Sequence, residues 1–122
     1  MKLELGLCSG RHDIPVDEYI FEMIDDPTDA AMMHVDAVYN LERIFTQHHV
    51  SRANRMVGIT GSMDCPTRYI YEVDVVIYVT GLTAALIAAL NACVTLGVQS
   101  VTLMHFNKAA GTYFNQKVVG LN

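Results

Sequence analysis

The stretch VDVVIYVTGLTAALIAALNACVTLGVQSVTLMH, Val73 to His105, decides the fold. Its first part is β-branched, with Val73, Val75, Val76, Ile77 and Val79, and after Gly81 it turns to alanine and leucine. Residues 75–107 contain no Asp, Glu, Lys or Arg, so a hydropathy window alone reads them as a membrane helix. Thr80, Thr83, Asn91, Thr95 and Gln99 interrupt that run, and Gly81 and Gly97 stand where a buried strand–helix–strand needs its turns. The pattern predicts a strand over 69–79, a helix over 83–96 stopped by Gly97, and a strand over 98–106. The two strands are expected to be parallel, with a right-handed crossover.

The flanking segments extend this unit. Asn107 to Gly111 reads as a turn and 112–119 as a strand, giving a C-terminal hairpin. Lys2 to Cys8 alternates Leu3, Leu5 and Leu7 against Lys2, Glu4 and Gly6, a strand pattern broken at Ser9 to Asp13. Residues 16–24 fit a strand or one helical turn. Asp26 as cap, Pro27 at the first helical position and Asp29 in the first turn predict a helix start. Val35, Val38, Leu41 and Phe45 give that helix one apolar face, running to Gln47 or His48. Residues 49–68 read as loop, with a short strand at Met56–Thr60. The sum is an α/β protein: a compact sheet with helices packed on it, a Rossmann-like strand–helix–strand core and a C-terminal β-hairpin, in one domain over residues 1–122.

Composition narrows the function. The charged fraction of 17% is below the ~25% usual for soluble chains, which points to surface hidden in an oligomer. A net charge of −5 argues against polymeric nucleic acid as partner. It leaves room for a small anion held by backbone N–H groups and arginine. Cys8, Cys65 and Cys93 are odd in number and form no CxxC. With no signal peptide at the N-terminus, they read as reduced thiols of a cytoplasmic protein.

Three segments carry candidate chemistry. Val79-Thr80-Gly81-Leu82-Thr83 joins a buried strand to a helix, and the first-turn amides, the Gly81 backbone and the threonine hydroxyls suit a phosphate. The plain alternative is an ordinary turn with Thr83 as helix cap. Cys8-Ser9-Gly10-Arg11-His12 offers a hydroxyl, a glycine, a guanidinium and an imidazole after the first strand. If that strand lies beside and parallel to the strand over 69–79, both loops meet at one sheet edge, where open α/β sheets bind ligands. The alternative is a polar loop with Arg11 paired to Asp13. His105-Phe106-Asn107-Lys108 with Tyr113-Phe114 can stack a base, or can pack as a hairpin in a core or at a subunit contact. Asn91, mid-helix among apolar residues, reads as a satisfied buried amide or a ligand contact. No metal, cofactor or paired-carboxylate motif is evident.

Residues Gly6 to Pro15, Tyr19-Ile20-Phe21, Val79 to Thr83 and Leu103 to Lys108 together resemble the phage Thoeris anti-defence sponges of the first type. Members of that family bind, without cleaving, the cyclic ADP-ribose isomer made by a bacterial TIR-domain enzyme, and some also sequester cyclic oligonucleotides. The resemblance implies a phage protein acting in the infected host cytoplasm. It implies an intertwined homodimer, with a hexamer as a further assembly, and ligand pockets between protomers. It places Arg11 and Asn91 in the pocket, with Leu82 or Phe106 at the stacking position. Lys108 and Lys117 stand in the hairpin where the family has arginine. The rival expectation is a small cyclic-nucleotide phosphodiesterase, His12 serving as acid or base and Arg11 stabilising charge. A third is an interaction protein without a small ligand.

Overall fold

The computed structural model describes residues 1–10, 13–56 and 67–118, with the backbone alone at 55–56 and 67–68. In chain order they form β1 (Lys2–Cys8), β2 (Tyr19–Phe21), α1 (Ala30–Gln47), β3 (Arg52–Met56), β4 (Thr67–Tyr78), α2 (Thr83–Leu96), β5 (Val98–Asn107) and β6 (Thr112–Val118). The sheet runs β2-β1-β4-β5-β6, and β3 pairs with β4. β1 is parallel to β2 and β4, and β4 to β5. The β3–β4 and β5–β6 pairs are antiparallel. The chain is thus an α/β protein with a mixed sheet and a closing hairpin, and β4-α2-β5 is the strand–helix–strand read at Val73–His105. Among the described residues no helix is long and apolar enough to cross a membrane.

Alternation along the strands decides which face is covered. Leu3, Leu5, Leu7, Val73, Val75, Ile77, Val101 and Leu103 share one buried cluster with Met33, Ala37, Leu41 and Ile44 of α1 and Ala85, Ala89 and Ala92 of α2. The opposite positions Lys2, Glu4, Thr102 and Lys117 are half-buried or exposed. Each fully buried side chain such as Phe21, Phe45, Leu5 or Leu7 contributes about 1.5–3 kcal/mol. The second face is covered where residue 6 is glycine: a Cβ there would lie 2.5 Å from Ile14 Cδ1 and 2.5 Å from Tyr19 Cδ1. The chain after β1 therefore folds back over β1 at Gly6.

Several expectations are corrected. α1 is capped by Asp29, whose side chain accepts from the Met32 amide, and not by Asp26. Asp26 instead shapes the preceding turn, accepting from the Thr28 amide and hydroxyl at 2.9 and 2.6 Å. Those bonds hold its carboxyl below the ordinary aspartate range. The apolar face of α1 is Met33, Ala37, Leu41, Ile44 and Phe45, while Val35 is 58% exposed. Residues 52–55 of β3 were expected as loop, while its last residue, Met56, was expected to open a strand over Met56–Thr60; residues 57–60 lie outside the described residues. α2 follows its expected bounds, and Gly97 ends it at φ 78°, a left-handed conformation that glycine adopts without steric cost. Its N-cap is Leu82 with no side-chain bond, so Thr83 does not cap it.

Candidate functional site

Because β1 and β4 run side by side and parallel, their carboxyl ends deliver Ser9-Gly10 and Thr80-Gly81 to the same sheet edge. One hydrogen bond ties the two turns: the Cys8 amide donates to Thr80 Oγ1 at 3.3 Å. Thr80 is buried, so its hydroxyl is a structural acceptor and not a surface donor to a ligand. The Ser9 amide donates to the Phe21 carbonyl at 3.0 Å and is likewise engaged within the fold. Gly10 and Gly81 have positive φ, and nothing lies within 4 Å of a Cβ placed on either. Both turns are open to close approach. The uncapped first turn of α2 adds amides that lack intrahelical partners.

Next to this edge is a cleft of about 480 Å³. Val79 and the end of β5, with His105 and Phe106, supply one part of its lining; Lys108 and Tyr113 come from the β5–β6 hairpin. Asp13 and Ile14 come from the loop after β1. The hairpin register sets Phe106 opposite Tyr113, and their ring centres are 5.2 Å apart. Tyr78 meets Tyr113 edge-on at 5.1 Å and 80°. Burial, then the Glu4 charge and Tyr113, push the Tyr78 phenol above its ordinary value. His105 stacks on Phe114 at 5.1 Å, and its Nε2 donates to Gln116 Oε1 at 2.9 Å. Phe106 is 51% exposed, so much of its ring is available to a second planar group.

The residues singled out from sequence divide clearly. Phe106, Lys108 and Tyr113 line the cleft together, with Gly81 two residues beyond the lining residue Val79. Ser9 and Gly10 are joined to that turn through Cys8 and Thr80. Leu82 packs half-buried against the core, which removes it as the stacking group. Thr83 is exposed at the start of α2. Asn91 is exposed on the helix, neither a buried amide nor near the edge, since eight residues of helix carry it about 12 Å from Thr83. Arg11 and His12 lie outside the described residues. Phe106 and Phe114 are both exposed and sit at successive, oppositely facing ladder positions, so they do not form one hairpin core. Asp13, Ile14 and Tyr78 were not anticipated; the signal available was Gly6, a mid-strand glycine of the kind that marks close approach.

Cys8 and Cys93 are buried, and Cys93 is a free thiol; Cys65 lies outside the described residues. Among the described residues no group of three or more metal-ligating side chains converges. No family model, curated protein or solved structure gives a significant match to this chain.

Proposed function

We propose that this chain binds a phosphate-bearing cyclic nucleotide signal, a cyclic ADP-ribose isomer or a cyclic oligonucleotide, and holds it without cleavage, as the anti-defence sponges it resembles do. The observation that carries this reading is the cleft, whose lining joins the aromatic Phe106 and Tyr113 to Lys108 and Asp13, while the two open glycine turns follow β1 and β4 at the same sheet edge. Its volume of about 480 Å³ lies within the ~300–1,000 Å³ of small-molecule sites. Phe106 and Tyr113 present faces on which a base stacks. Lys108 and the uncapped amides of α2 suit phosphate oxygens, and Gly10 and Gly81 let the phosphates approach the backbone. Arg11 and His12 follow Gly10 in the sequence and join the phosphate grip in this proposal. A homodimer or hexamer in the host cytoplasm, enclosing the ligand between protomers, completes it.

Retention needs tight binding and slow release, and no positioned acid or base. The test incubates the purified protein with the cyclic ADP-ribose isomer, removes free ligand, heats the complex and identifies what is released. Intact ligand supports the proposal, and a hydrolysed product overturns it. Hydrolysis that disappears in His12→Ala while binding survives establishes the phosphodiesterase instead. Ligand at 100 times its dissociation constant should add ~2.7 kcal/mol of stability. Phe106→Ala and Tyr113→Ala should each weaken binding by about fivefold or more if the rings stack on bases.

A further inference from the structure

The cleft contains one group that a phosphate alone does not explain. Asp13 lines it together with Lys108, Phe106 and Tyr113. A carboxylate beside a phosphate site repels the phosphate, as like charges do. A neighbouring cation ordinarily neutralises such an acid. Among the described residues, however, the ion pairs are Lys2–Glu4 and Glu18–His48. Neither the Asp13 nor the Lys108 side chain is engaged with another described residue. The two charges line one cleft without meeting, so each is left for a ligand.

The chemistry of the two groups says what that ligand must bring. Lys108 donates hydrogen bonds and attracts phosphate oxygens. An ionised carboxylate only accepts, and its two oxygens suit two parallel donors. Phe106, 51% exposed, supplies a flat face. Its ring is tilted 55° from that of Tyr113, so the two are not stacked face to face and the Phe106 face stays available. A base seated on such a ring presents its edge, not its face, to the surrounding polar groups.

The four common bases differ at that edge. Guanine carries two adjacent donors, the ring N–H and the 2-amino group. Adenine and cytosine each set an amino donor beside a ring nitrogen acceptor. Uracil has one N–H between two carbonyls. Guanine alone offers a carboxylate two donors side by side. The other three set an acceptor lone pair against it, which rejects them as well as losing a bond. Building on the reading of the cleft as a nucleotide site, we propose that Asp13 reads the base and selects guanine. The preferred ligand is then a guanine-containing cyclic oligonucleotide, with its base on Phe106, its donor edge on Asp13 and a phosphate on Lys108. The ribose hydroxyls, the other donors of a nucleotide, are common to every base, so base preference separates the two uses of Asp13.

The experiment is isothermal titration calorimetry of the full chain with cyclic di-GMP, cyclic di-AMP and cyclic di-IMP. Hypoxanthine, the base of the last, keeps the ring N–H of guanine but lacks the 2-amino group. The guanine ligand should bind about tenfold or more tighter than the adenine ligand, with cyclic di-IMP between them. Asp13→Asn replaces one acceptor oxygen by a donor, which suits the donor–acceptor edge of adenine. It should bring the two ligands within about threefold of each other. Lys108→Ala should weaken all three alike and keep the preference. Both side chains are exposed, so neither change disturbs the core. Equal binding of cyclic di-GMP and cyclic di-AMP by the parent overturns the proposal. So does a preference that survives Asp13→Asn, or binding of none of the three. A parallel titration with the cyclic ADP-ribose isomer decides the cleft separately. If that ligand binds and Phe106→Ala weakens it, the cleft remains a nucleotide site and only the assignment of Asp13 is lost.

Discussion

Gly6→Ala tests whether the loop after β1 is seated on the sheet as described. The added Cβ would lie 2.5 Å from Ile14 Cδ1 and 2.5 and 2.6 Å from Tyr19 Cδ1 and Cε1. Each neighbour must retreat by about 1 Å to reach ordinary contact at ~3.5 Å. Ile14 can swing the far end of a flexible chain. The Tyr19 ring cannot retreat easily, because Tyr19 pairs with Gly6 in the ladder and the Gly6 amide donates to the Glu18 carbonyl at 2.8 Å. Overpacking of this kind costs about 1–3 kcal/mol. Gly6 is not among the positive-φ glycines, so alanine also restricts the unfolded chain, a gain of about 0.4–1 kcal/mol. The steric term wins by about 1–2 kcal/mol, which in a domain of this size lowers Tm by about 4–8 °C. Ile14 also lines the cleft, so ligand affinity should fall in parallel. Ile14→Ala in the same background should recover part of both losses, as a coupling of about 0.5–1 kcal/mol in a double-mutant cycle. Thermal melts followed by circular dichroism, with and without ligand, read all of these. A variant that melts within about 1 °C of the parent, or a cycle with no coupling, refutes the packing argument.

Leu41→Ala should cost about 2–5 kcal/mol in urea denaturation and Val35→Ala less than about 0.5, since the first is buried against the sheet and the second faces solvent. Thr80→Val removes the acceptor of the Cys8 amide; losing this buried hydrogen bond should cost about 0.5–1.5 kcal/mol. Burial pushes the Cys93 thiol up to about 12 from an ordinary 9.0. The folded chain then holds that proton more tightly than the unfolded chain. Stability should be full below pH ~9 and decline on the order of 4 kcal/mol as pH climbs toward 12. Tyr78, raised by burial, adds a loss of the same sign from about pH 10 upward. Cys93→Ala should flatten the part of this decline that begins near pH 9, measured as urea midpoints across the alkaline range.

The Val73–His105 unit was legible because its switch from β-branched to alanine-rich sequence coincides with the glycines that reverse the chain. The face of α1 was not, because two apolar series fit the helical period. Val35-Val38-Leu41-Phe45 and Met33-Ala37-Leu41-Ile44-Phe45 share Leu41 and Phe45, and only packing on the sheet chooses between the rest. β3, with sequence RANRM, has neither alternation nor β-branched residues; it is a strand because β4 extends far enough to pair with it. The meeting of the two glycine turns followed from the parallel pairing of two strands whose apolar pattern was plain. The seat of Ile14 and Asp13 on the cleft did not, since it depends on how a long loop folds back. Thr80 shows the same limit: a hydroxyl at a turn reads equally as a ligand donor or as an internal acceptor until its burial is known.

β4 relates the two ends of the molecule. It has 12 residues against seven in β1, so its first half extends past β1 to pair with β3, while Val79 at its far end enters the cleft. At ~3.3 Å per residue the strand spans about 40 Å. Between the ends lie the fully buried Val73, Val75 and Ile77, a close-packed segment that has no second arrangement to adopt without opening voids. Coupling between sites requires an element with two states that both ligands bias, and this strand offers none. Occupation of the cleft should therefore leave local opening of the β3–β4 end within about 0.3–0.5 kcal/mol of its empty-cleft value, the scatter of independent sites. Amide hydrogen exchange at Ala53 and Asn54, with and without saturating cyclic nucleotide, measures it. A tenfold change in that local exchange would show that the strand moves between two arrangements and would refute the argument.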